Sequence, residues 1–205
     1  MIAAKQRTQI WENTSNEFWK IAQIEANHLA RIYRKVPDFS FNMFNILDIG
    51  SGLAGYNILL VKDISNVNID MLDFDQHEEA FKLGFASMGE KYNSFTIVND
   101  LIADCGVDSS RIKLFDANQL EENENFLNSS KPYDFVQSLY SWCFHFPYLT
   151  YRSFVQAHIH PSTLVLVDVR RNHEQEKQIM EDFEIIEVIL ERSKSRRLLL
   201  KKQLN

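Results

Sequence analysis

The stretch Asn45-Ile46-Leu47-Asp48-Ile49-Gly50-Ser51-Gly52-Leu53-Ala54-Gly55 constrains this chain more than any other part of it. An apolar run precedes the glycines, and a helix-like run, Tyr56 to Ile64, follows them. Glycine has no Cβ, so Gly50 and Gly52 let the backbone turn tightly and approach a ligand closely. The helix behind them offers unpaired N–H groups at its start. Strand, glycine loop and helix in that order form the ligand-holding unit of an open α/β sheet.

The remaining sequence continues in the same rhythm. Buried-strand candidates recur at 67–75, 111–117, 133–140 and 163–170, separated by helix-like stretches at 94–106 and 151–160. Ser94 reads as a cap and Gly106 as a stop for the first of these helices, and the second ends before Pro161. A charged helix over 173–183 then leads to two strands, 184–192 and 196–202, close enough to pair as a hairpin. Upstream, residues 14–36 read as a helix: Thr14 and Glu17 have capping-box spacing, Trp19, Ala22, Ala26, Leu29, Ala30 and Tyr33 share one face, and Pro37 ends it. Strands alternating with helices imply a mostly parallel sheet covered on both faces, with an antiparallel edge from the closing hairpin. Ligands of such sheets bind beyond the carboxyl ends of the strands, where strand order reverses. The chemistry is therefore expected just after each strand.

Composition sets the outer limits. The 205 residues suffice for one domain with a sizeable core, and the net charge of -6 argues against a polyanionic partner, because nucleic-acid affinity rests on Lys and Arg. The basic residues of 191–202 alternate with an apolar run and read as a solvated strand pair. Cys105 and Cys143 give neither a disulfide framework nor metal-ligand spacing, which fits a reducing, cytoplasmic setting. The first residues lack the apolar core of a signal peptide, and no apolar run approaches the roughly 18 residues of a membrane span. We expect a protein with no membrane and no nucleic-acid partner.

Three carboxylates then stand at successive strand ends. Asp48 precedes Gly50; beside a pyrophosphate it would be repelled by several kcal/mol at an effective dielectric of about 20. S-adenosylmethionine carries an ammonium and a sulfonium in place of phosphate, and a carboxylate suits both. Asp73 lies about twenty residues beyond the glycines, where a carboxylate accepts hydrogen bonds from ribose hydroxyls; Asp75 is the reserve. Asp116 can accept from an adenine amino group, with the Ala117 N–H donating to the ring. Each aspartate taken singly also suits a turn or a cap.

With these residues in view the chain resembles the class I S-adenosylmethionine-dependent methyltransferases, of the small-molecule type. The resemblance rests on "ILDIGSGLAG", "MLDFD", "IKLFDA", "YDFVQSLYSWCFHFP" and the closing hairpin, and covers about residues 44 to 202. It implies a Rossmann-like, doubly wound, mostly parallel seven-stranded sheet with an antiparallel C-terminal hairpin strand. Residues 1–205 would form a single domain, with 1–43 an N-terminal helical cap on the core. It also implies that Asp48, Gly50, Ser51 and Gly52 meet the methionine moiety, Asp73 the ribose, Asp116 and Ala117 the adenine, and that Ser138 completes the cofactor set. Two features depart from the family pattern: Leu53-Ala54 delay the third glycine, and the gap between Asp73 and Asp116 is long. The segment 77–94 therefore reads as an insertion that forms part of a substrate wall or lid, with Tyr92, Asn93 and Ser94 as polar contacts.

The family places its acceptor after strand four, where Tyr140, Trp142, Phe144, His145, Phe146 and Tyr148 crowd together. Tyr140, Trp142 and Tyr92 are the candidate substrate contacts, in an aromatic-walled pocket, although core packing accounts for individual rings as well. His145 is the titratable base of the segment, able to take a hydroxyl proton as the methyl arrives, or else a structural histidine. "SLYSW" lacks the Asn/Asp-Pro-Pro-aromatic run of amino-methylating nucleic-acid enzymes. Cys143 follows Trp and not Pro, so it reads as a small packing residue. No acidic cluster calls for a metal. The expected activity is transfer of a methyl group from S-adenosylmethionine, leaving S-adenosylhomocysteine, to a small-molecule acceptor, through a hydroxyl on a sugar-like or other metabolite. A nicotinamide-dependent oxidoreductase of the same fold and a non-catalytic S-adenosylmethionine-binding module are the alternatives.

Overall fold

In the computed structural model the described residues are 2–37, 39, 42–77, 92–120, 132–171 and 174–203; at 2–14, 76, 77 and 92 the description covers the backbone alone. The inserted segment is thereby described only at its ends. Gln76–His77 (β3) and Tyr92–Asn93 (β4) pair antiparallel, and 78–91 lie outside the described residues.

Seven strands form the main sheet: β1 (Phe44–Ile49), β2 (Val67–Asp73), β5 (Ile112–Asp116), β6 (Tyr133–Ser138), β7 (Ile159–Arg170), β8 (Phe183–Glu191) and β9 (Ser195–Lys202). Their order is β5-β2-β1-β6-β7-β9-β8, parallel as far as β7 and antiparallel at β9 and β8. Six strands of this sheet thus point one way and β9 runs against them, a mostly parallel sheet as expected from apolar runs buried on both faces. The order reverses between β1 and β6, so the loops that follow these two strands leave the sheet side by side.

Alternate residues of each strand feed two cores. Ile46, Ile69, Phe135, Leu164, Leu166 and Leu199 pack under the helices α1 (Ile2–Tyr33), α2 (Gly55–Asp63) and α3 (Phe95–Asp104). Leu47, Val136, Val165, Val167 and Leu198 face the other way, with Tyr148, Tyr151 and Val155 of α4 (Tyr148–Ala157) and Ile179 of α5 (Glu174–Ile179). The predicted face of α1 is the one that packs: Ala22, Ala26, Leu29 and Tyr33 are buried, with Trp19 and Ala30 partly so.

Several expected boundaries move. The first helix begins at Ile2, not Thr14, because the preceding residues are good helix formers and a capping box contributes only about 1 kcal/mol. Residues 151–160 divide: the helix runs from Tyr148 to Ala157, and Ile159 and His160 join β7, with Ile159 opposite Tyr133. Ser94 occupies the N-cap of α3 without a side-chain bond; Asp75 Oδ1 instead accepts from the Phe95 N–H at 2.9 Å. Gly106 does stop α3. At φ +67 it lets its own N–H reach Ala103 O and that of Val107 reach Ile102 O, the paired closure of a Schellman turn. None of the described helices is long and apolar enough to cross a membrane.

Candidate active site

The three loop glycines are required for three different reasons. Gly50 has φ +78, and a Cβ there would stand 2.1 Å from both Cβ and Oγ of Ser141, so the loop after β6 rests directly on the loop after β1. Gly52 has φ +54 and would carry a Cβ into space where no atom of the described residues lies within 4 Å. Gly55 opens α2 in ordinary helical backbone, but its Cβ would come within 2.6 Å of Phe18 on α1. The third glycine thus serves helix packing, which explains how Leu53 and Ala54 intervene. Ala54 takes up the displaced turn with φ 58, a conformation that costs a non-glycine residue roughly 1 kcal/mol.

Asp73 closes the floor of this loop. Its Oδ2 accepts from the Gly52 N–H at 2.8 Å and from Asn93 Nδ2 at 3.2 Å, and its Oδ1 from the Phe74 N–H at 2.8 Å. Asn93 also donates to Gly52 O at 3.0 Å and is 3% exposed. The end of the inserted segment is thereby stitched to the glycine loop. Burial raises the Asp73 pKa, and the Gly52 and Phe74 N–H groups oppose the rise. Asp116 lies beside Asp73 in the strand register. Its Oδ1 accepts from the N–H and side chain of Asn118, both at 2.9 Å, which caps the single turn Ala117–Gln119 and leaves Ala117 buried beneath it.

Asp48 sits deeper, with no exposed surface. Asn57 Nδ2 donates to its Oδ2 at 2.5 Å, and the Tyr56 hydroxyl at 2.9 Å. The chain of polar groups continues from Gln137 Nε2 to Asn57 Oδ1 at 3.2 Å and from the Tyr33 hydroxyl to Gln137 Oε1 at 2.6 Å. Burial pushes the Asp48 pKa up to about 7; Asn57 and Tyr56 pull it back, and the Asp73 charge adds to the rise. Ser51, one residue past Gly50, is 5% exposed, and no described protein group hydrogen-bonds to its hydroxyl.

The loop after β6 is pinned across this floor. Ser141 O accepts from the N–H groups of Phe144, His145 and Phe146 at 3.0, 2.7 and 3.0 Å. Tyr140 and Cys143 both adopt left-handed backbone, φ 62 and 66, and such strain clusters at functional loops. Phe146 reaches Phe74, the residue after Asp73, with ring centroids 5.4 Å apart. His145 is partly exposed and meets the Phe144 ring edge-on at 5.0 Å. Tyr140 is partly exposed as well.

Two expected site residues point elsewhere. The Ser138 hydroxyl is fully buried, donating to Ile49 O and accepting from the Trp142 N–H, both at 2.8 Å, so it has no donor left for a ligand. Trp142 has no exposed surface, donates from Nε1 to Tyr148 O at 2.7 Å and stacks on the Tyr148 ring; it is a core residue and not a pocket wall. The Tyr92 side chain lies outside the described residues. Asp75 is committed to capping α3. Sequence reasoning missed Tyr56 and Asn57. The available signal was an asparagine amid the apolar run Ile58-Leu59-Leu60-Val61, since a buried polar side chain needs a partner.

No protein-family model matches the chain, and no curated protein matches it. Solved structures do. A Staphylococcus aureus protein assigned as a caffeoyl-CoA O-methyltransferase is 12% identical over 91% of this chain and 90% of its own, with a TM-score of 0.61. Magnesium protoporphyrin IX methyltransferase (ChlM) from Synechocystis PCC 6803, with bound S-adenosylmethionine, is 11% identical over 90% and 79%, with a TM-score of 0.56. A variant of MtNAS is 12% identical over 94% of this chain, which spans 64% of that protein's length, with a TM-score of 0.57. At these identities the likeness shows the fold, and that fold is the one the motif resemblance implied.

Proposed function

We propose that the chain is an S-adenosylmethionine-dependent methyltransferase acting on a small-molecule acceptor, through a hydroxyl oxygen on a sugar-like or other metabolite scaffold. The observation that carries this reading is the Gly52–Asp73 junction: a carboxylate held by the loop's own N–H, beside a glycine with open space where a Cβ would stand. Among the described residues the buried Ser51 hydroxyl at the same loop has no hydrogen-bond partner, and none of the side chains bonded to the loop is basic. Such a site suits a ribose and a cationic amino-acid moiety and is unsuited to a pyrophosphate.

In this reading Asp73 accepts from the ribose hydroxyls, Asp116 and the Ala117 N–H hold the adenine, and Ser51 with the charge of Asp48 favours the methionine end. Bound there, S-adenosylmethionine supplies an electrophilic methyl group. The chain itself must align the acceptor, exclude water and remove a proton. Tyr140 and Phe144 form the partly exposed aromatic wall that orients the acceptor, and His145 takes its hydroxyl proton.

S-adenosylhomocysteine is expected to bind in calorimetry, and Asp73→Ala to bind it at least about a hundredfold more weakly, since two hydrogen bonds to a charged group contribute roughly 1.5–3 kcal/mol each. Equal affinity in the variant rejects the cofactor assignment, as does an NADH fluorescence change without S-adenosylhomocysteine binding. His145→Ala is expected to lower turnover of any accepted substrate by at least about a hundredfold with cofactor affinity unchanged. Near-full turnover would move the base elsewhere.

A further inference from the structure

Two adjacent rings of the loop after β6 are flanked by guanidinium groups. Arg170, at the end of β7, places its Cζ 4.6 Å from the Phe144 centroid. Phe144 meets Tyr140 edge-on at 5.1 Å. Arg192, the first residue beyond β8, stands 5.9 Å from the Tyr140 centroid and donates from Nη1 to its hydroxyl at 2.5 Å. The rings attract a guanidinium without neutralising it. Both partners of Arg192 are neutral, and among the described residues no carboxylate pairs with it. The adjacent Glu191 carboxylate is taken instead by Arg171 and Arg196.

The charge is therefore localised. A neighbouring cavity of about 720 Å³ is also lined by basic residues, Arg171, Lys177 and Arg196, but it holds Glu176 and Glu181 too, and Arg196 pairs with Glu176. A nucleic-acid backbone needs a stripe of unpaired cations. Here the Arg192 guanidinium stands against Tyr140 of the loop after β6, in a chain of net charge -6. A planar guanidinium fork fits a carboxylate or a phosphate edge to edge.

We propose that Arg192 binds a carboxylate or phosphate group of the methyl acceptor and so selects anionic small molecules. The proposal rests on the methyltransferase reading for the word acceptor, and on the loop geometry for the anion.

The test is to titrate the S-adenosylhomocysteine-saturated full chain with inorganic phosphate and, separately, with acetate at constant ionic strength. The arginine side-chain ¹⁵N–¹H resonances report binding. Arg192 is expected to shift saturably with a Kd on the order of millimolar for at least one anion, and comparison of the two separates the phosphate from the carboxylate source. Arg192→Gln is expected to weaken that binding by about fivefold or more, and Arg171→Gln, at an exposed paired arginine, by less than about twofold. A response that grows only in proportion to added salt, or equal losses in both variants, overturns the proposal. So does Arg192-dependent binding of a single-stranded RNA oligomer tighter than that of phosphate. Running the phosphate titration without cofactor keeps the two readings apart: failure of S-adenosylhomocysteine to bind removes the methyltransferase, while failure of the Arg192 shift removes only the anion site.

Discussion

Affinity for S-adenosylmethionine is expected to rise by about tenfold per pH unit from pH 5 to 6 and to level off near pH 7, because one proton leaves Asp48 on binding. In the unliganded protein, burial holds this carboxyl at a pKa of about 7, so near pH 6 it is mostly protonated. A cationic ligand placed over the glycine loop favours the ionised form and lowers that pKa. Binding then releases a proton in the window between the lowered value and 7, and affinity falls as pH falls through it. Calorimetry at pH 6 in two buffers of different ionisation enthalpy should find close to one proton released per cofactor, and none at pH 8. Asp48→Asn should bind without proton release and with a flat profile. The same shift fixes a stability trend. The folded pKa lies above the ordinary carboxylate value, so ionising Asp48 opposes folding, and the unliganded protein should lose stability as pH rises from 4 to 7. Cofactor affinity that is constant from pH 5.5 to 7.5 would show that the ligand's charge does not reach Asp48.

That prediction depends on a feature only half visible in the sequence. Asp48, two residues before Gly50, was legible as a charge next to the loop, because a carboxylate in an apolar strand has few other uses. Its partners were not: Tyr56 and Asn57 follow closely in sequence, but Gln137 and Tyr33 come from a strand and a helix whose juxtaposition only the fold supplies. The strands themselves were read well, since continuous apolar runs admit little besides a buried parallel sheet. Ser138 and Trp142 show the opposite case. Past the end of β6 the strict alternation of strand faces stops, and two left-handed residues, Tyr140 and Cys143, redirect the backbone. Which rings then face the crevice and which the core cannot be read from spacing. Arg192 was legible as part of a solvated hairpin, and its reach to Tyr140 depends on where β8, at the sheet edge beyond β9, ends relative to the loop after β6.

Arg197→Met is expected to cost about 3–5 kcal/mol in urea unfolding at pH 7, the largest loss of any single substitution considered. Arg197 is 1% exposed, and its fork takes both oxygens of Asp168 on the neighbouring strand, at 2.8 and 2.9 Å. Its Nη1 donates at 2.7 Å to Glu25 on α1 and lies 3.4 Å from His28 Nδ1. Desolvation alone would lower the Arg197 pKa; Asp168 and then Glu25 more than offset it, so the group stays charged. Methionine fills much of the same volume but leaves Asp168 buried without a counter-charge. The double variant Asp168→Val/Arg197→Met removes both charges and is expected to recover most of the loss, because an apolar pair in place of a buried ion pair is often near neutral. A single variant that loses less than about 1 kcal/mol, or a double variant no better than the single, would assign the stability to packing alone. His28 supplies an independent readout. Its pKa is held down by burial and then by Arg197, so removing the arginine eases its protonation beside Glu25, and the single variant should lose less stability than the parent as pH falls from 7.5 to 5.5. The consequence reaches the cofactor loop through α1, where Phe18 packs on Gly55 and Tyr33 anchors the polar chain that ends at Asp48. Loosening that helix should weaken S-adenosylhomocysteine binding in both variants, since neither keeps the Arg197–Glu25 contact that holds α1.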